Sequence, residues 1–115
     1  MGSGTTLVEA KLLGRNAVGV DINPQSVLIS ETNLQFQCES NSKIFTRNGS
    51  ATDLNFIKDN RIDFVCTHPP YANIIKYSKG VEGDISLLNV EDFLNEMKKA
   101  AEESYRVLRK GKMCA

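Results

Sequence analysis

Strand-like and helix-like segments take turns along this chain with no linker, repeat or low-complexity stretch between them. That alternation admits few folds. Ala17 to Asp21 (AVGVD) is a short apolar run ending in an acid, and Ile62 to Cys66 (IDFVC) is a second of the same kind. Each reads as a buried strand, and Lys43 to Thr46 (KIFT) reads as a third. The glycine turn Gly2-Ser3-Gly4-Thr5-Thr6 leads into a helix over Leu7 to Leu13, which Gly14 can terminate. Asn23-Pro24 places a capping side chain before a proline at the first helical position, so a helix starts there. It runs to about Gln37 and buries Val27, Leu28, Leu34 and Phe36. Asn89 caps a longer helix from Val90 to about Arg109, with Asp92 in a capping-box-like start. Phe93, Met97, Ala101, Ser104 and Leu108 make its inward face. Gly111 stops that helix, and Lys112 to Ala115 begins another strand. Asn48-Gly49-Ser50 reads as a turn, Asp53 to Asp59 as one helical turn, and the polar stretch Tyr71 to Ile85 as a loop. The pattern predicts an α/β fold with a mostly parallel sheet.

Composition narrows the setting. The chain has 115 residues, 41% apolar and 24% charged, which suits one globular domain. Fourteen basic residues balance 14 acidic ones, so net charge alone points to no polyanionic partner. No apolar run approaches the roughly 20 residues of a membrane span, and no charged segment followed by an apolar one marks a secretory signal. The expectation is a soluble, cytoplasmic domain. Cys38, Cys66 and Cys114 are an odd count without a CxxC pair. They predict neither a disulfide framework nor a metal site, and are expected to be small buried apolar side chains. Met1-Gly2 with Thr6 and Asn48-Gly49-Ser50 fit acylation and glycosylation patterns that are common by chance.

Two constellations carry chemistry. A glycine turn entering a helix brings backbone N–H groups and the positive helix end close to a ligand, and a Cβ would block that approach. Gly2 and Gly4 supply the turn, and Asp21 follows at the end of the next strand, where an acid suits the hydroxyls of a ribose. Together they describe a nucleoside-cofactor site; a plain tight turn with a capping acid is the other reading. Leu7 stands where a dinucleotide fingerprint has its third glycine, which disfavours NAD without excluding it.

The second constellation is Cys66-Thr67-His68-Pro69-Pro70-Tyr71, at the carboxyl end of a predicted strand. Successive prolines cannot donate to a ladder, so the strand must end there. Proline fixes its own φ and restricts the residue before it, which holds His68 and Pro69 extended. Such a turn aims a carbonyl and a side chain at one point beside an aromatic ring. It could stack a planar amine-bearing base on Tyr71, or be a stiff loop with a surface tyrosine.

In these two motifs the chain resembles the SAM-dependent amino-methyltransferases, in particular the DNA enzymes that modify N6 of adenine or N4 of cytosine. Their cofactor motif F-x-G-x-G-T is matched by Met1-Gly2-Ser3-Gly4-Thr5, with the phenylalanine falling just outside the chain. Their acid at the end of the following strand is matched by Asp21, and their Asp/Asn/Ser-Pro-Pro-Tyr motif by His68-Pro69-Pro70-Tyr71. Tyr105 to Gly111 is similar to the helix end and glycine turn before their fifth strand. The likeness covers essentially the whole chain. It implies a Rossmann-like fold, SAM as cofactor, no metal, and DNA as partner, with RNA as the alternative. SAM contacts are implied at Gly2, Ser3, Gly4, Thr5, Asp21 and Ile22, and at Ser50 and Asp53 near the adenine. His68 and the Pro69 carbonyl would hold the acceptor amine, and Tyr71 would stack on a flipped base.

Two departures stand out. His68 replaces the usual Asp, Asn or Ser, and an imidazole accepts a hydrogen bond only while neutral. Transfer should therefore fall as His68 protonates; a structural histidine with catalysis lost or altered is the other reading. Ser50 follows Gly49 where family members often carry an acid, which leaves Asp53 for the adenine amine. Competing functions are RNA or protein-glutamine N-methylation and a SAM-binding or structural piece without turnover. Lys76, Lys79, Arg109, Lys110 and Lys112 could contact phosphate, although a solvated surface suits most of them. By the resemblance, a strand precedes the glycine turn and others follow Ala115. The chain then reads as a partial catalytic domain, truncated at both ends, whose sheet a partner strand, self-association or a missing segment would complete.

Overall fold

A computed structural model describes residues 1–70 and 81–115. Tyr71, Lys76 and Lys79, and most of the loop expected from Tyr71 to Ile85, lie outside the described residues. The chain divides into two compact units, Met1–Gly49 and Ser50–Ala115.

The first unit runs α1 (Thr5–Leu12), β1 (Ala17–Asp21), α2 (Pro24–Asn33), β2 (Ile44–Asn48). β1 and β2 pair in parallel from Ala17 opposite Ile44 to Asp21 opposite Asn48. A parallel pair needs a crossover, and α2 provides it. The Asn23 side chain accepts from Gln25 N–H at 3.0 Å, and Pro24 occupies the first turn, as the sequence predicts. α2 ends at Asn33 rather than near Gln37 because Lys11 takes over its end. Its ammonium donates to the Leu34 and Phe36 carbonyls at 2.7 Å each and sits 4.4 Å from the Phe36 ring centroid. Leu7 and Val27 form the apolar core with Ser30 wholly buried beside them. Leu28, expected inside, is 56% exposed: one residue on from Val27 is about 100° round the helix. A Cβ at Gly19 of β1 would overlap the tips of the Met1 and Leu7 side chains, which would have to shift to admit it.

The second unit holds β3 (Ile62–Val65), a 3-10 turn (Ile85–Leu87), α3 (Val90–Val107) and β4 (Leu108–Cys114). β3 and β4 are parallel, with Ile62 opposite Leu108, Phe64 opposite Met113 and Val65 opposite Cys114. The parallel pairing predicted from the sequence is present, as two separate two-stranded ladders among the described residues. α3 starts at a reciprocal cap: Asn89 Oδ1 accepts from Asp92 N–H at 3.0 Å and Asn89 Nδ2 donates to Asp92 Oδ2 at 2.7 Å. Its more buried stripe is Phe93, Met97, Ala100, Ser104 and Val107. The predicted Ala101 is exposed, because eight residues after Phe93 overshoots by about 80° and seven falls short by only about 20°.

Other expectations change too. Gly111 does not stop α3, which passes into β4 at Leu108. Gly111 instead sits at φ 78° where β4 takes five residue steps against two of β3, a bulge in the ladder. Residues 51–59 form turns without a helix. Cys66 and Cys114 are exposed and Cys38 half-buried, so these thiols are not core side chains. No described helix is long and apolar enough to cross a membrane.

Candidate functional site

In the first unit, the glycine turn is held from β1 and from α2. Gly2 and Gly4 have φ 56° and 81°, left-handed values that favour glycine. Gly4 is buried against α2, where a Cβ would lie 2.7 Å from both Cβ and Oγ of Ser30. Among the described residues a Cβ at Gly2 would meet nothing within 4 Å, so they leave this side of the turn open. Gly2 N–H donates to Asp21 Oδ2 at 3.1 Å. The single Ser30 hydroxyl proton is shared between the Ser26 carbonyl at 2.8 Å and the Gly2 carbonyl at 3.1 Å. Asn33 Nδ2 donates to the Ser3 carbonyl at 2.9 Å. The turn opens α1, whose first N–H groups have no side-chain cap, with Ser3 and Thr5 exposed and their hydroxyls 3.2 Å apart.

Asp21 closes β1 beside that turn. Oδ1 accepts from Asn23 N–H at 2.9 Å, and Oδ2 lies 2.8 Å from the Met1 ammonium. Burial works against the charge, but the ammonium and the Asn23 and Gly2 N–H groups outweigh it and hold the carboxylate below its ordinary pKa. Each carboxylate oxygen accepts about two hydrogen bonds, so Oδ1 keeps capacity for a ligand hydroxyl while Oδ2 is taken up by the turn. Asn48, at the end of β2, donates from Nδ2 to the Asp21 and Ile22 carbonyls, both at 3.0 Å. Gly49 N–H adds a bond to the Asp21 carbonyl at 3.0 Å. An open glycine turn, an uncapped helix start and a fixed carboxylate at a strand end fit the nucleoside and amino-acid ends of SAM.

The second unit carries the other expected residues. Ser50 accepts from Asp53 N–H through its carbonyl at 3.1 Å and from Thr52 N–H through Oγ at 3.2 Å. Asp53 is exposed and accepts from Asn55 N–H at 3.2 Å. The next residue is gripped at both backbone groups: Leu54 N–H donates to Glu103 Oε2 at 2.7 Å, and its carbonyl accepts from Arg106 Nη2 at 3.0 Å. Arg106 further reaches the Ile57 carbonyl at 2.9 Å and Asp59 Oδ1 at 2.7 Å, and pairs with Glu103 at 2.7 Å. The Arg106 fork and the Leu54 N–H together hold the Glu103 carboxyl down at about 2, and the carboxylates raise the Arg106 pKa further.

The proline turn leaves the sheet as the sequence predicts. β3 ends at Val65, and Ala115 extends its ladder by donating to the Val65 carbonyl at 2.9 Å and accepting from Thr67 N–H at 2.8 Å. His68 is exposed, and Pro69 and Pro70 are half-buried. Tyr71 lies outside the described residues. No group of His, Cys, Asp and Glu able to hold a metal occurs among the described residues. Of the suggested phosphate contacts, Arg109 and Lys112 instead pair with Asp63, at 3.0 and 3.7 Å.

Sequence reasoning missed Ser30, Asn33, Asn48, Glu103 and Arg106. Only Ser30 left a signal, a polar residue three positions after Val27 on the inward stripe of α2.

A family model described as "UPF0020: RMKL-like, methyltransferase domain" matches residues 1–113. Among curated proteins, a type II methyltransferase, M.MjaII of Methanocaldococcus jannaschii, is 54% identical over 35 residues. That match takes in 30% of this chain and 7% of the relative, so the chain spans far less than the relative's length.

Proposed function

The chain belongs to the family of RMKL-like methyltransferase domains, and from that premise we propose that it serves transfer of a methyl group from SAM to an exocyclic amino group of a base in DNA, N6 of adenine or N4 of cytosine. The observation that carries the reading is the open glycine turn locked beside Asp21. The likeness to a type II methyltransferase supports DNA as the acceptor. The family also includes RNA methyltransferases, which favours RNA as the second reading.

Bound SAM would supply an electrophilic methyl on a sulfonium. In the first unit, the Ser3 N–H and the start of α1 would hold the amino-acid end, Gly2, Gly4 and Thr5 would shape the turn around it, Asp21 Oδ1 would accept from a ribose hydroxyl, and Ile22 would pack against the adenine. Ser50 and Asp53 of the second unit are assigned to the adenine amine. A His68 ring able to accept, and the Pro69 carbonyl, would take hydrogen bonds from the acceptor amine and leave its lone pair free for transfer. Pro69 and Pro70 keep that turn rigid, and Tyr71 stacks on the flipped base. Positioning supplies most of the acceleration.

Tritiated SAM with duplex DNA, tRNA and protein as acceptors tests this. Label recovered as a methylated adenine or cytosine from DNA, and lost in His68→Ala, is the expected result. Label in RNA alone transfers the reading to the second class, and saturable SAM binding without label on any acceptor overturns the enzymatic reading.

A further inference from the structure

Ser30 is a hydroxyl with no exposed surface, among the few polar side chains buried in the described residues. A helix can satisfy such a group within itself, and Ser30 does so by donating to the Ser26 carbonyl at 2.8 Å. The same hydroxyl also reaches the Gly2 carbonyl, 28 residues away, at 3.1 Å, sharing its one proton in a contact that its own satisfaction does not require. One turn along α2, Asn33 holds the next carbonyl, that of Ser3. Two consecutive peptide groups of the glycine turn are thus fixed by one helix.

The consequence follows from peptide geometry. The described chain contains no cis peptide bond, and in a trans peptide the C=O and the following N–H point in opposite directions. Holding the Gly2 carbonyl on α2 turns the Ser3 N–H away from α2. That N–H donates to no acceptor among the described residues, whereas its neighbours are engaged: Gly2 N–H with Asp21 and Gly4 N–H with the Met1 carbonyl at 3.1 Å. Gly4 allows the arrangement, because any Cβ there would push Ser30 out of reach. We infer that Ser30 and Asn33 are positioning residues for cofactor binding, a strap from α2 that aims the Ser3 N–H as a donor to SAM; this rests on the SAM-binding reading above.

Without the strap, the two peptides can rotate, and left-handed glycine positions resist rotation little. A donor that must be ordered on binding contributes less affinity than one already in place. Removing either strap bond should therefore weaken cofactor binding without touching the acceptor side.

The test is calorimetric titration with S-adenosylhomocysteine, together with the Ser3 amide resonance. Wild type should bind saturably, with a marked shift of the Ser3 amide. Asn33→Ala and Ser30→Ala should each weaken binding by about 5- to 10-fold and reduce that shift. The KM for SAM should rise by a similar factor while the KM for the acceptor holds. Asn33 is exposed and its loss leaves the core untouched, so it decides the matter if Ser30→Ala does not fold. Leu28→Ser, on the exposed side of the same helix, should bind as wild type does. Wild-type affinity in Asn33→Ala with the Ser3 shift intact overturns the strap and leaves the SAM reading standing. No saturable binding by the wild type overturns that reading, and the strap with it.

Discussion

The two units fix their backbone segments by opposite means. In the first, the glycine turn and the Asp21-Ile22 corner are held mainly by neutral donors, Ser30, Asn33 and Asn48, acting on carbonyls. In the second, the segment from Leu54 to Asp59 is held by charge, with one Arg106 guanidinium bridging two carbonyls, Asp59 and Glu103. Neutral bonds are insensitive to salt and to mild acid, whereas ion pairs that keep part of their surface in water are partly screened and titrate. The contrast suits the roles proposed for them. The carbonyls of the turn are shaped by groups that add no charge, beside one charged contact at Asp21 with the Gly2 N–H and the Met1 ammonium, while a segment tied to a helix can use ion pairs freely.

The largest effect should come from the first unit. Gly4→Ala puts a Cβ onto Ser30 at a left-handed φ of 81°, and should cost about 3 kcal/mol of stability, read from urea unfolding. Gly2→Ala has the same sign of φ but no described residue within 4 Å of its Cβ, and should cost only about 1 kcal/mol. Equal losses at both would mean that packing on α2 is not what fixes the turn. Asn48→Ala removes two donors from the Asp21 and Ile22 carbonyls and should cost about 1–2 kcal/mol, with a matching drop in cofactor affinity.

In the second unit, Arg106→Gln should lower the urea midpoint more in dilute buffer than at molar salt, the part kept in salt being its bonds to the Leu54 and Ile57 carbonyls, whereas Asn48→Ala should lower it alike in both. Acid sharpens the contrast further. The Glu103 carboxyl titrates at about 2 when folded against an ordinary 4.5. Its contribution is therefore whole above about 4.5 and lost as the pH falls toward 2. The stability gap between wild type and Glu103→Gln should close over that window, and a gap unchanged at pH 3 would remove the ion pair from the account.

What could be read from the sequence was local. β1, the Asn23-Pro24 start, the Asn89 cap and the stop at Pro69-Pro70 depend on residues a few positions apart, and each occurs where expected. What escaped was set at long range. Lys11 ends α2 from 23 and 25 residues away, and Ser30 reaches Gly2 across 28. Arg106 reaches Leu54 across 52. No local pattern encodes such pairs. The glycine turn and its acid were legible as a motif, but not that Asp21 spends one oxygen on Gly2 N–H and the Met1 ammonium, because only the folded turn brings those donors to it.

The central question is whether this turn holds the methyl donor. Equilibrium dialysis against tritiated SAM, wild type beside Asp21→Ala, tests that directly. Saturable binding by the wild type, at least about tenfold weaker in the variant, is the predicted result. No saturable binding, or equal binding by the two proteins, would contradict it.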